Sequence, residues 1–86
     1  MPDRHIKKHA RYKAAVDKLS NKLPRAQEVF RGAEWVLARS PEEGIYISDI
    51  DVFRALLICP EPMPSVHIYY AFNDRQIRLL TVVPLQ

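Results

Sequence analysis

The first half of the chain carries two hydrophobic stripes with the spacing of an α-helix. The first stripe predicts an amphipathic helix from about His9 to Lys22, and its members are Tyr12, Ala15, Val16, Leu19 and Leu23. The second stripe predicts a helix from Pro24 to about Arg39, with the members Ala26, Val29, Phe30, Ala33, Val36 and Leu37. Because Pro24 restricts the residue before it and suits a first helical turn, the short connection predicts an antiparallel helical hairpin.

After Gly44 the hydrophobic pattern changes to that of β-strands, with an alternating period or a short continuous apolar run. A short edge strand is expected at Ile45–Ser48 and a second strand at Val52–Ile58. The prolines of residues 60–64 cannot donate backbone hydrogen bonds to a sheet, so we expect a loop there.

The clearest strand pattern covers residues 66–83, which alternate on both sides of the turn Asn73–Gln76. This pattern predicts an antiparallel β-hairpin in which Phe72 pairs with Ile77. We expect one face of the hairpin to enter the core, through Val66, Ile68, Tyr70, Phe72, Ile77, Leu79 and Val83. The opposite face then carries His67, Tyr69, Ala71, Arg78, Leu80 and Val82.

The order of elements, two helices followed by strands, is typical of an α+β fold. We expect an N-terminal helical hairpin packed on one face of a small antiparallel sheet of three to four strands. The length of 86 residues fits a single domain that covers residues 1–86.

Charge is distributed unevenly along the chain. Residues 1–39 contain ten Lys and Arg against four Asp and Glu, whereas residues 40–86 contain three against six. The basic half fits a polyanionic partner, and it equally fits a solvated helical face. The chain has one cysteine, no apolar run of membrane-spanning length and no apolar segment after its first charges. We therefore expect a cytoplasmic protein without a membrane partner.

Three stretches of the sequence resemble RelE/ParE-type toxins of bacterial type II toxin–antitoxin systems. Residues 32–44 are similar to the end of the second helix in that family, and Val52–Leu56 is similar to its first central strand, which often carries an arginine. Residues 66–74 and 77–80 resemble its final hairpin. The resemblance implies a toxin that binds a cognate antitoxin protein and acts by ribosome-dependent mRNA cleavage or by inhibiting DNA gyrase.

The chain departs from this family at both ends. The family opens with a β-strand, for which only residues 4–6 remain here, and its RNase members carry a catalytic tyrosine or histidine near the C-terminus. Val83–Gln86 has no titratable side chain that could take this catalytic role. The sequence therefore does not decide whether the protein is an mRNA endoribonuclease. The alternative is a non-catalytic binding module with a degenerate toxin fold. Trp35 lies off its helical stripe, so it either contacts the first helix or belongs to an exposed patch that a partner could use. A third hypothesis is a nucleic-acid binder that acts through the basic helices.

Cleavage of RNA by internal attack needs an acid–base group and cations around the phosphate. Arg54 and Arg78 are the candidate cations, at positions like those of the family's strand arginines, and His67 is the candidate acid–base group. Tyr69 is a candidate stacking platform for a base and Arg75 a further nucleic-acid contact. Each of these side chains also fits a solvated structural position. His5 and His9 lack a third ligand, so we expect no metal and no other cofactor.

Overall fold

The structure, a computed structural model, describes residues 4–85. The expected domain 1–86 and the C-terminal segment Val83–Gln86 therefore extend to residues that lie outside the described part of the chain. The described elements, in chain order, are β1 (His5–Lys8), α1 (Ala10–Lys22), α2 (Ala26–Arg39), a 3-10 turn (Pro41–Glu43), β2 (Ile45–Ile47), β3 (Val52–Leu57), β4 (Val66–Phe72) and β5 (Gln76–Pro84).

The strands form one mixed sheet in the order β1-β5-β4-β3-β2. β1 runs parallel to β5, with Ile6 opposite Ile77, and the other neighbours are antiparallel. The α+β class is as expected, but the prediction of a three- to four-stranded antiparallel sheet is wrong, because the sheet has five strands and one parallel pair. The hydrophobic pattern did not predict β1, because its four residues include a single apolar side chain and show no period; residues 4–6 were noted only as a remnant of the opening strand of the similar family.

Backbone hydrogen bonds at both ends hold β1 beside β5. The His5 N–H donates to the Arg75 carbonyl at 2.9 Å, and the His9 N–H donates to the Leu79 carbonyl at 2.9 Å. The Ile6 side chain packs against the core, so one apolar contact and the sheet ladder suffice to place the strand.

The helical hairpin forms as predicted, with α1 and α2 packed on the same face of the sheet. Tyr12 and Phe30 are buried between the elements, with their rings edge to face at a centroid distance of 6.3 Å. Glu34 is buried beside them and accepts a hydrogen bond of 2.7 Å from the Tyr12 hydroxyl. The Lys8 ammonium lies 3.2 Å from the other oxygen of Glu34, which ties β1 to α2. This network satisfies a carboxylate that would be costly to bury alone.

The β4–β5 hairpin pairs Phe72 with Ile77 as predicted, but its register shifts farther from the turn. Tyr70 pairs with Leu79 and Tyr69 pairs with Thr81, so Leu80 is an extra residue in β5. Such a bulge exchanges the faces of all following residues.

The exchange changes which residue of β5 is in the core. Val82 is 6% exposed and joins the core, whereas Val83, which the simple alternation assigned to the core, is 46% exposed. The remaining predicted residues of this core row lie as expected: Phe72 is half-buried, and five are buried, Val66, Ile68, Tyr70, Ile77 and Leu79. The alternation rule was correct up to Leu79 and wrong beyond it.

Within residues 4–85 no helix has the length and apolar character that a membrane crossing requires.

Candidate nucleic-acid interface

The face of the sheet opposite the helices is the candidate interface, and we call it the open face. Strand residues that pair directly share a face, so the register assigns its members. They are His5, Lys7, Ile45, Ile47, Val52, Arg54, Leu56, His67, Tyr69, Ala71, Gln76, Arg78, Thr81 and Val83.

Three sequence-predicted residues come together in the middle of this face. Arg54 on β3 lies directly opposite Tyr69 on β4, and His67 is the next residue of β4 on the same face. The rings of His67 and Tyr69 meet edge to face, with centroids 6.5 Å apart. All three side chains are half-buried, so they are fixed by neighbours and still reachable from solvent. The arrangement puts a cation, an aromatic ring and an imidazole side by side.

Arg78 lies on the same face but does not join this group. It stands on β5 opposite Ala71 of β4 and beside Lys7 of β1. Its α-carbon is about 12 Å from that of Arg54, from a strand spacing of about 4.8 Å and a rise of about 3.3 Å per residue. Tyr69 and Ala71 of β4 lie between the two arginines in the register.

Arg75 occupies a different environment from the other candidates. It is exposed in the β4–β5 turn, where its N–H donates to the Asn73 side-chain oxygen at 2.8 Å. Its carbonyl receives the His5 N–H that docks β1. The backbone of Arg75 thus has a structural role at the turn end of the hairpin.

The electrostatic character of the open face is cationic. It carries Lys7, Arg54 and Arg78, and none of its members is an aspartate or a glutamate. Among residues 4–85 no hydrogen bond or ion pair occupies the side chains of these three cations. Cations that are not neutralised by the protein are available to an anion, and phosphate groups of a nucleic acid are the anions that match a row of them.

The sequence did not predict two members of the open face, Lys7 and Thr81. Lys7 was missed because β1 itself was not recognised. The Thr81 hydroxyl, beside Tyr69, was missed because simple alternation assigns Thr81 to the core face, and only the bulge at Leu80 brings it to the open face. Ile6 is the single apolar residue in the sequence of β1 that could have indicated the strand. Nothing in the sequence around Leu80 indicates the bulge.

Apolar side chains border the cations on the open face. Ile45, Leu56 and Val83 are 63%, 53% and 46% exposed. Leu56 and Val83 both lie opposite His67, and Ile45 lies opposite Arg54. A surface that mixes exposed apolar groups with unpaired cations also suits a protein partner.

The other candidate chemistry of the chain does not form a site. His5 lies in β1 and His9 directly precedes α1, so the two histidines do not share a helix. Among residues 4–85 no group of three or more His, Cys, Asp or Glu is placed to hold a metal ion. Burial raises the pKa of the Cys59 thiol, which disfavours the nucleophilic thiolate.

Trp35, for which the sequence left two interpretations, is 55% exposed with the Arg39 guanidinium 4.8 Å from its ring centroid. This exposure favours the interpretation as part of a surface patch, on the helical side of the molecule. A cation stacked on its face leaves the tryptophan partly covered.

Comparison of the chain with models of known protein families gives no match, and no curated protein matches it either.

Proposed function

We propose that this protein is a toxin of the RelE/ParE kind that cleaves mRNA on the ribosome through its open face. The observation that carries the proposal is the open face, in which Arg54, Tyr69 and His67 stand side by side, Arg78 lies on the same face, and no member is an aspartate or a glutamate. The β1 strand adds support, because these toxins open with a β-strand and the sequence had left only residues 4–6 for one. The proposal includes a cytoplasmic location, where ribosomes are found.

The proposed reaction is attack of an RNA 2′-hydroxyl on the neighbouring phosphorus. The His67 imidazole accepts the 2′-hydroxyl proton as the O2′–P bond forms and the P–O5′ bond breaks. The Arg54 guanidinium neutralises charge on the non-bridging oxygens of that phosphate, and Tyr69 stacks against a base. The leaving 5′ oxygen takes its proton from water, since no second histidine within the described residues adjoins His67.

A ribosome cleavage assay tests this assignment. Purified protein is added to ribosomes programmed with a defined mRNA, and cut sites are mapped by primer extension. We expect His67→Ala to slow cleavage by about 10²- to 10⁴-fold and Arg54→Ala by about 10²- to 10³-fold. Arg31→Ala removes an exposed cation from α2, away from the open face, and is expected to cleave at the wild-type rate.

The same preparation separates mRNA cleavage from gyrase inhibition. Wild-type protein that leaves mRNA intact but blocks supercoiling by DNA gyrase would contradict the proposed cleavage and retain the toxin family. Full cleavage by His67→Ala would contradict the role of His67, and equal losses in Arg54→Ala and Arg31→Ala would contradict the role of the open face.

A second candidate function is a non-catalytic binding module that acts through protein contacts. The observation that favours it is the exposure of Ile45, Leu56 and Val83 around the cations. Leu56 is an exposed residue of β3, so Leu56→Ser removes an apolar group from the surface and leaves the charge of the open face unchanged. If Leu56→Ser abolishes growth inhibition while His67→Ala retains it, the binding module is supported and catalysis is contradicted.

A further inference from the structure

The two edges of the sheet differ in how they are protected. An edge strand exposes unpaired backbone N–H and C=O groups, and lysine is one of the residues that discourage pairing with another chain. β1 carries Lys7 and Lys8 at one edge. β2, at the other edge, consists of Ile45, Tyr46 and Ile47, with neither a charge nor a proline. β2 is therefore the edge that remains able to accept another strand.

Exposed apolar side chains stand on both faces of β2. Ile45 is 63% exposed on the open face, and Tyr46, opposite Phe53, is 50% exposed on the helical face. A groove of about 370 Å³ adjoins the start of β2, and the exposed side chains of Val36 and Leu56 line it together with Ile45. A strand paired with β2 would place alternate side chains on Ile45 and on Tyr46.

The charges around β2 define the chemistry of such a strand. Residues 40–53 contain four carboxylates and no lysine or arginine. Glu42 and Glu43 lie before β2, separated from it by Gly44, and Asp49 and Asp51 follow it. All four carboxylate residues are exposed. Tyr46 fixes one of these groups, because its hydroxyl donates to Asp51 at 2.5 Å. Negative charge thus stands at both ends of an unprotected edge, in a chain whose net charge is +3.

We propose that the edge of β2 accepts a basic, extended segment of a partner protein as a sixth strand. Backbone hydrogen bonds to β2 supply the pairing, alternate apolar side chains of the segment cover Ile45 and Tyr46, and lysines or arginines near its ends meet the four carboxylates. The edge adjoins the open face, because Ile45 pairs with Arg54 and both side chains line the same groove. The competing occupant is β1 of a second copy, which is basic and extended and would join copies head to tail.

The probe is a fluorescein-labelled nine-residue peptide with five central valines and two lysines at each end, and its binding is followed by fluorescence anisotropy. Two control peptides replace every lysine with glutamate or methylate the backbone nitrogens along one edge. We expect binding of the lysine peptide only, with an affinity that falls as salt is added. The absence of lysine-peptide binding, or equal binding of the methylated peptide, would overturn the proposal.

Two charge-matched protein variants locate the binding site. The edge variant combines Glu42→Lys, Glu43→Lys and Asp49→Lys, and the control variant combines Asp17→Lys, Glu28→Lys and Asp74→Lys, all at exposed positions. We expect the edge variant to bind the lysine peptide about tenfold to a hundredfold more weakly than the control variant. Equal affinities in the two variants would overturn the proposal.

Sedimentation of the protein alone tests the competing occupant. We expect a monomer over the concentration range of the binding assay. Concentration-dependent association that the edge variant abolishes would assign β2 to a second copy and overturn the assignment to a partner protein.

Discussion

The register of β5 yields a sharp test in two neighbouring valines. Val82 is 6% exposed opposite Ile68, and Val83 is 46% exposed opposite His67. Replacement of each by alanine removes the same two methyl groups and makes the same change in strand propensity. The two variants therefore differ only in the environment that loses the methyl groups.

The magnitude follows from burial. Removal of two carbons from a buried site costs about 1.6 kcal/mol in transfer free energy, and the cavity raises the total to about 2 to 3 kcal/mol for Val82→Ala. Val83 is already half in water and leaves no cavity, so its transfer loss is below about 1 kcal/mol. We expect Val82→Ala to lose at least about 1 kcal/mol more stability than Val83→Ala.

Urea unfolding followed by circular dichroism measures this difference, provided that both variants keep the wild-type m value. The thermal midpoint of Val82→Ala should fall by about 8 to 16 °C for a loss of 2 kcal/mol in a domain of this size. Equal losses in the two variants, or a larger loss in Val83→Ala, would refute the bulge at Leu80 and with it the membership of Thr81 in the open face.

Three further predictions concern the packing around the helices and the pH dependence. Gly44→Ala should lower the free energy of unfolding by at least about 2 kcal/mol, because the added Cβ would overlap the Tyr70 hydroxyl. Gly32→Ala should raise it by about 0.5 to 1 kcal/mol, because Gly32 lies on a helix with open space around it. Urea unfolding measures both changes. Tyr12→Phe should cost about 1 to 2 kcal/mol by the same measurement, since it leaves Glu34 without a hydrogen bond of 2.7 Å. Burial, then the hydrogen bond and charge of Glu34, raise the pKa of Tyr12. Tyr12 therefore ionises at a lower pH in the unfolded chain than in the folded protein, and the free energy of unfolding should fall as pH rises above the ordinary tyrosine range near 10. If the free energy of unfolding falls no more steeply with pH in the wild type than in Tyr12→Phe, this cause is contradicted.

The helices were predictable because each has a long stripe with a clear period. α1 and α2 begin and end within two residues of the expected positions. The same argument misplaced Val36, which belongs to the stripe but is 56% exposed. Glu34, also on α2, is buried instead, because Tyr12 and Lys8 satisfy its carboxylate. Periodicity detects apolar faces, and a polar residue buried by partners from other elements gives no local signal.

The sheet was predictable only where local pattern determines it. Hairpin pairing next to the turn follows from alternation, so the pairing of Phe72 with Ile77 was correct. β1 depends on a parallel contact with β5, about 70 residues away in the chain, and its own sequence carries one apolar residue. The bulge depends on how the whole of β5 fits the core, so alternation alone could not locate it.

The candidate site shows the same division. Counting along the predicted hairpin placed His67 and Tyr69 on one face, and Arg54 was a candidate from the resemblance alone. The register brings the three residues side by side. Lys7 and Thr81 depend on the two features that local pattern does not encode. The sequence therefore predicted the centre of the open face and missed its contributions from β1 and from the far half of β5.

Growth arrest in a bacterium tests the central claim, toxicity through the open face, most directly. The wild type, an open-face variant with Arg54→Ala and Arg78→Ala, and a helix variant with Arg11→Ala and Arg31→Ala are induced at equal soluble levels. Both variants lose two positive charges, so only the location of the charges differs. We expect the wild type and the helix variant to arrest growth and the open-face variant to permit it. Growth of the wild-type strain, or equal arrest by both variants, would contradict the claim.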